Sequence, residues 1–347
     1  MTVRLGDTLA LDGVSLDVGD GELLAVVGPS GSGKTTLLRT IAGLDAPASG
    51  SVLIGGVDAT KQRTQDRDIA MVFQDGALLP FLTAGENVGF PLRLRDIARP
   101  EIEERVTAEG RALGLEEVLG RLPRELAAGH RQLVQVARAM IRVPSVFLLD
   151  EPLARVDAGT RVRLRRDIRV LQQGYGVTTL LATNDPTDAM AIADRLCMID
   201  RGSIQQIGAP LEVYRYPTTT FVAELLGDRP MNLLPVRVRR DAVGSWLVGV
   251  GFRLRAWSPE LSGHIGRRLT MGVRAEDLVV EDTGEIRAEV RRSVSFGSHV
   301  DTELAVGQAT LWLRGSGEAL ERGLEVTLRA VRWHLFGEDG RAIHHAG

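Results

Sequence analysis

Gly28, Pro29, Ser30, Gly31, Ser32, Gly33, Lys34 and Thr35 follow the spacing G-x-x-x-x-G-K-[ST]. Backbone amides turned inward by such a glycine-rich loop can cradle the phosphates of a nucleoside triphosphate, with the anion at the start of the following helix. Lys34 is one of only two lysines among 42 basic residues. A chain that otherwise uses arginine keeps lysine here, where a compact ammonium fits between phosphates and a planar guanidinium does not. Thr35 offers a hydroxyl to a divalent cation, and Thr36 continues the anion-facing helix start. The chemistry is binding of a triphosphate.

A second group lies more than a hundred residues downstream. Val146 to Leu149 form an apolar run that ends in Asp150 and Glu151, followed by Pro152. At the tip of a buried strand Asp150 can hold Mg²⁺ through water beside Thr35, and Glu151 can take a proton from an attacking water. Gln74 follows another apolar run, Ile69 to Phe73. It reads either as a plain surface glutamine or, given the other motifs in order, as a sensor of the γ-phosphate and Mg²⁺.

These residues need strands and helices to bring them together. Leu23 to Val27 precede the loop as a buried strand, and Thr35 to Ala42 follow with helical spacing. Further strands are expected at Val14–Val18, Ser51–Ile54, Ile69–Phe73, Val146–Leu149, Thr178–Thr183, Leu196–Ile199 and Ser203–Ile207. Helices are expected at Glu101–Leu113, His130–Ile141, Ala158–Gln173 and Thr187–Ala193. The order predicts an α/β P-loop NTPase domain over residues 1–229, its mainly parallel sheet covered on both faces. A helical subdomain is inserted at about 75–144. Beyond Pro230 short alternating runs punctuated by glycine predict an all-β, barrel-like domain over 230–347.

Composition narrows the function. Hydrophobic residues make up 44% and charged residues 25% of 347, as in ordinary globular chains, and this length predicts two domains. A net charge of −3 gives no general field for nucleic acid. The run Arg161 to Arg166 lies opposite an apolar stripe of Val162, Ile168 and Leu171, and reads as a solvated helix face, not a nucleic-acid patch. His264, His299, His334, His344 and His345 show no metal-ligand spacing and read as surface or barrel residues. The single cysteine, Cys197, sits in an apolar run and fits a reducing compartment. With no run of 18 apolar residues, the chain is expected not to span a membrane by itself.

Gly28 to Thr35, Gln74, Leu126 to Gln132, Asp150 with Glu151, Asp157, and Thr183 to Asp185 stand in the order of an ATP-binding-cassette ATPase. Phe221 to Gly227, Met231 to Pro235 and Gly272 to Glu276 extend the similarity into the second domain, which the resemblance implies is a regulatory domain of oligonucleotide-binding type. The chain most resembles ATPase subunits of bacterial carbohydrate importers of the maltose and glycerol-phosphate type. That resemblance implies ATP and Mg²⁺ as ligands, with Thr35, Gln74 and Asp150 at the metal. It implies a homo- or hetero-dimer sandwiching two ATP molecules, each between one subunit's P-loop and the other's signature residues, here Ala127 and Gly129, with Asp157 nearby. It also implies two transmembrane permease subunits, indirect cooperation with an extracytoplasmic binding protein, and a peripheral place on the cytoplasmic membrane face. Importers of polyamine, iron or sulfate, and a weakly active nucleotide-dependent scaffold, are the rival readings.

Three departures bear on rate. The usual Leu-Ser-Gly-Gly-Gln signature is Leu126, Ala127, Ala128, Gly129, His130, which lacks a hydroxyl and places a Cβ where the backbone is expected to approach phosphate or adopt an unusual dihedral. Asn184 occupies the switch-histidine position among the catalytic residues, and it can donate a hydrogen bond but carries no charge. Leu5 replaces an adenine-stacking aromatic, and the strand normally before it is largely missing.

Overall fold

The computed structural model describes residues 1–74, 76–154, 156–256 and 259–346. They divide into two compact units, Met1–Leu211 and Glu212–Gly347. In chain order the first unit contains β1 (Val3–Leu5), β2 (Thr8–Leu11), β3 (Leu23–Val27), α1 (Lys34–Ala42), β4 (Leu53–Ile54), β5 (Val57–Asp58) and β6 (Ile69–Val72). Then come α2 (Ala84–Arg93), α3 (Arg99–Ala112), α4 (Ala128–Met140), β7 (Val146–Asp150), α5 (Ala158–Tyr175), β8 (Thr178–Thr183), α6 (Pro186–Ile192), β9 (Arg195–Asp200) and β10 (Ser203–Gly208).

Six strands form the main sheet in the order β10-β9-β3-β8-β7-β6. The pairs β3–β8, β3–β9, β7–β8 and β6–β7 are parallel, and β10 adds an antiparallel edge. All five residues of β3 are buried, so an unbroken apolar run was the right sign of a strand covered on both faces. Leu24, Val26, Leu37, Leu148, Leu180 and Ile199 share one core there. This arrangement brings the C-terminal ends of β3, β6, β7 and β8 to one edge of the sheet. Helices α2, α3 and α4 interrupt it between β6 and β7, where the helical insertion was expected.

Two expected strands differ. Val14–Val18 has no strand partner, and Ser51–Ile54 shrinks to the two residues of β4. Alternation of Val14, Leu16 and Val18 is a strand pattern, yet a strand also needs a continuous backbone ladder, and here, among the described residues, only Val14 is bonded to a neighbouring backbone, its N–H donating to Met1 O at 2.9 Å. Leu16, Val18, Val52 and Ile54 instead line an open groove of about 950 Å³. Helix α2 was not among the expected helices; Pro91 lies inside it, and the capping box of Thr83 and Glu86 starts it.

Helix α7 (Pro210–Arg215) crosses the boundary between units, and the second unit continues with α8 (Thr220–Leu225) and β11 to β21. These are β11 (Asn232–Asp241), β12 (Gly244–Gly249), β13 (Phe252–Arg255), β14 (Arg268–Val273), β15 (Leu278–Val280), β16 (Ile286–Ser295), β17 (Val300–Val306), β18 (Ala309–Gly315), β19 (Glu325–Ala330), β20 (Trp333–Phe336) and β21 (Ala342–Ala346). They make one eleven-stranded antiparallel sheet around Val238, Leu247, Met271, Ile286, Leu304 and Leu328. Residues 212–229, assigned from sequence to the first domain, pack with this sheet. Arg274 is buried and donates to the carbonyls of Tyr214 and Leu226, both at 2.8 Å, while Thr220 N–H donates to Gly340 O at 2.8 Å. A buried guanidinium needs such acceptors, so the segment that provides them stays with the sheet. Of the two readings given for the histidines, surface or barrel, His334 takes the second: it is buried on β20, its Nδ1 lies 2.7 Å from that of His345, and burial pushes its pKa down to about 3.

Candidate functional site

The turn from β3 into α1 carries the P-loop. A Cβ at Gly28 would lie 2.2 Å from the carbonyl oxygen of Ile199 and 2.6 Å from Ser32 Oγ, so only glycine lets the loop leave β3 against β9. Gly33 has φ of 107° and a Cβ there would meet Ala10 O at 2.8 Å. With these two positions fixed, α1 begins at Lys34 with its first amides open to the loop, as anion binding requires. Ser32 Oγ is buried and makes no hydrogen bond among the described residues. A buried hydroxyl without a partner costs free energy unless a ligand supplies one. The cradle therefore fits a phosphate-bearing ligand.

Lys34 reaches back over this loop. Its Nζ donates to Gly28 O at 2.8 Å and to Pro29 O at 2.9 Å, and lies 3.9 Å from Glu151 Oε1. Burial lowers its pKa, and the charges of Glu151 and Asp150 oppose the fall. At the tip of β7, Asp150 Oδ1 accepts from Thr35 Oγ1 at 3.1 Å. Burial raises the Asp150 pKa, with the Thr35 hydrogen bond acting the other way. Hydroxyl and carboxylate oxygens side by side are a hard-oxygen donor pair of the kind Mg²⁺ takes.

Gln74 stands just after β6 and donates from Nε2 to Glu151 Oε2 at 3.1 Å. Glu151 is thus held by Gln74 on one carboxylate oxygen and faces Lys34 with the other. Its backbone has φ of 46°, the left-handed region that a glutamate seldom occupies, and its N–H donates to Ala182 O at 2.9 Å. The sheet register aims this side chain: β7 ends opposite β8, and the chain turns sharply at residue 151. Lys34, Thr35, Gln74, Asp150 and Glu151, spread over 118 positions of sequence (34 to 151 inclusive), meet in one cluster.

The other expected residues stand apart from it. Among the described residues, no hydrogen bond links Ala127, Ala128 or Gly129 to the cluster. Ala127 is the N-cap of α4 and gives no side-chain cap. Ala128 is the first helical residue and is absent from the positive-φ set, so the unusual dihedral expected of it does not occur. A Cβ on Gly129 would meet Thr160 Cγ2 at 2.4 Å, which gives this glycine a packing reason at the contact of α4 with α5. Asp157 caps α5 by accepting from Thr160 N–H at 3.0 Å. Asn184 is exposed at the end of β8, and Asp185 caps α6. Sequence reasoning missed the partners of this last turn: Arg161, read as part of a solvated face, donates to Asp185 Oδ2 at 2.7 Å.

Comparison with known proteins agrees with the geometry. The family model for ABC transporters matches residues 11–154. The trehalose/maltose import ATP-binding protein of Thermococcus litoralis is 43% identical over 97% of this chain and 96% of its own. The chain belongs to the ABC transporter family. A second relative, the sn-glycerol-3-phosphate import ATP-binding protein of Chromobacterium violaceum, is 41% identical over 97% of this chain and 92% of its own. A solved dimeric ATP-binding cassette in a post-hydrolysis state with ADP and phosphate superposes with a TM-score of 0.55 at 29% identity, covering 60% of this chain and 95% of that one. This ABC chain is the ATP-binding and ATP-hydrolysing subunit of an importer, and its resemblance to that class covers both of its units.

Proposed function

We propose that this ABC ATPase powers uptake of a saccharide or related polyol. The observation that carries the catalytic part is the junction at Glu151, joined to Gln74 on one side and Lys34 on the other. The names of its relatives support the substrate class, since they import trehalose and maltose or glycerol-3-phosphate. Glu151 accepts the proton of the attacking water, and Gln74 fixes the carboxylate's direction. Lys34 and the amides at the start of α1 hold the phosphates, and positioning with fixed charge supplies most of the rate. Thr35, Asp150 and Gln74 would hold Mg²⁺, which neutralises phosphate charge when bound.

The chain pairs with a second ATPase, which brings Ala127, Gly129 and Asp157 to the opposite nucleotide. Two permeases dock at the cytoplasmic membrane face. A cleft of about 370 Å³ lined by Phe73, Leu79, Phe90, Leu94 and Arg138 supports docking, with Phe81 74% exposed. In proteoliposomes with the cognate permeases and binding protein, ATP should drive uptake of a labelled disaccharide or glycerol phosphate. Uptake of spermidine or sulfate instead would move the protein to another importer class.

One observation favours a second reading, a slow scaffold-like subunit: the α4 N-cap lacks a hydroxyl. Restoring Ala127→Ser and Ala128→Gly together with Asn184→His should raise permease-stimulated hydrolysis by roughly tenfold or more, since one preorganised donor is worth about 10²–10³ in kcat. The serine should also cap α4, worth about 0.5–2 kcal/mol. An unchanged or lower rate would show that the three native residues are not what limits turnover.

A further inference from the structure

The basic run Arg161 to Arg166 is split by the structure into two kinds of residue. Arg163 and Arg166 have side chains 57% and 73% exposed, whereas Arg165 is 16% exposed. Arg161 Nη1 donates to Asp185 Oδ2 at 2.7 Å. One turn further along, Arg165 lies 3.6 Å from the carboxylate of Asp188, which is 2% exposed, and donates to Thr187 O at 3.4 Å. Asp157, Arg161 and Arg165 recur at i, i+4 and i+8, hence on one face of α5. That face grips the segment that follows Asn184.

Asp185 has three tasks in this turn. Its backbone N–H donates to Thr183 Oγ1 at 3.1 Å, its Oδ1 caps α6 through Thr187 N–H at 2.8 Å, and its Oδ2 receives Arg161. Asn184 lies between Thr183 and Asp185, so its backbone is held from both sides. A neutral amide donor depends on position more than an imidazolium does, because it has no charge to act at longer range. Arg161 and Arg165 facing Asp185 and Asp188 also balance two charges against two, so no net charge is left in the turn.

We propose that Arg161 is a positioning residue for Asn184: by holding Asp185 it fixes the turn that presents Asn184 and ties that turn to α5, the helix that Asp157 caps. The inference rests on the catalytic reading above. Position of the switch residue and position of the α5 N-terminus are then a single mechanical variable, because α5 is a continuous helix from Ala158 to Tyr175.

The test uses the full-length protein with its permeases. Arg161→Met should lower kcat by about tenfold to a hundredfold, the range expected for a small displacement of a reacting group. ATP affinity by calorimetry should stay unchanged, since Lys34 and the P-loop are untouched. Asn184→Ala should lower kcat by a similar factor, and adding Arg161→Met to it should cost nothing more. Arg163→Met, two positions from both Arg161 and Arg165 and so on the opposite side of α5, should behave as wild type. Additive losses, an unchanged kcat in Arg161→Met, or a parallel fall in ATP affinity would each overturn the proposal. Should Arg161→Met fail to fold, Asp185→Asn replaces it: the cap of α6 persists, the ion pair is lost, and the same non-additivity with Asn184→Ala is required. Glu151→Gln separates the two levels. If that variant retains hydrolysis, the catalytic reading fails; if it arrests while the Arg161 and Asn184 losses add, only the positioning role fails.

Discussion

Glu151→Gln is expected to bind ATP normally while turnover falls by about 10²–10⁴, the contribution typical of a positioned proton acceptor. The substitution keeps the size of the side chain and leaves Gln74 a hydrogen-bond partner at 3.1 Å. It removes the negative charge facing Lys34 Nζ at 3.9 Å, and with it the means of taking a proton. It also leaves the backbone demand at residue 151 the same, because glutamine and glutamate resist positive φ alike. The variant therefore isolates proton transfer from folding. Phosphate release should be measured with the permeases present, and nucleotide affinity by equilibrium titration. Full hydrolysis by this variant would remove Glu151 from the reaction.

Lys34→Ala should produce the opposite pattern, with binding lost first. Hydrogen bonds to charged groups contribute roughly 1.5–3 kcal/mol each, so loss of the ammonium should weaken ATP binding by about tenfold or more. The helix start and the glycine turns would survive, since Gly28 and Gly33 are set by their contacts with Ile199 and Ala10 and not by Lys34. Two backbone carbonyls, of Gly28 and Pro29, would lose their donor. Calorimetric titration with Mg-ATP gives the readout, and an unchanged affinity would defeat the assignment of the loop.

The two substitutions also show why parts of this site could be read from sequence. The P-loop is local: eight consecutive residues, each with its own steric or electrostatic duty, between an apolar strand and a helix start. Asp150 and Glu151 needed the P-loop upstream and Pro152 after them, since an apolar run ending in two carboxylates is by itself more often a solvated strand end. Gln74 was harder, because a single polar residue after a strand acquires meaning only when the parallel pairing of β6 with β7 sets it beside residue 151. Arg161 and Arg274 were missed for the same reason. Their value lies in acceptors 24 positions away for Arg161 and 48 to 60 away for Arg274, which no local pattern encodes. Strand alternation at Val14–Val18 misled in the other direction, since it reports which face an extended chain would bury and says nothing about whether a neighbour is present. The antiparallel second unit was legible from alternation such as that of β11, buried at every other position from Asn232 to Val238.

The scarcity of lysine has a practical side. Lys34 is 5% exposed. Lys61 is exposed on a turn. Amine-reactive reagents therefore meet one open side-chain target on the whole surface. A fluorophore or a solid support attached through Lys61 would leave the phosphate loop unmodified by virtue of its own burial.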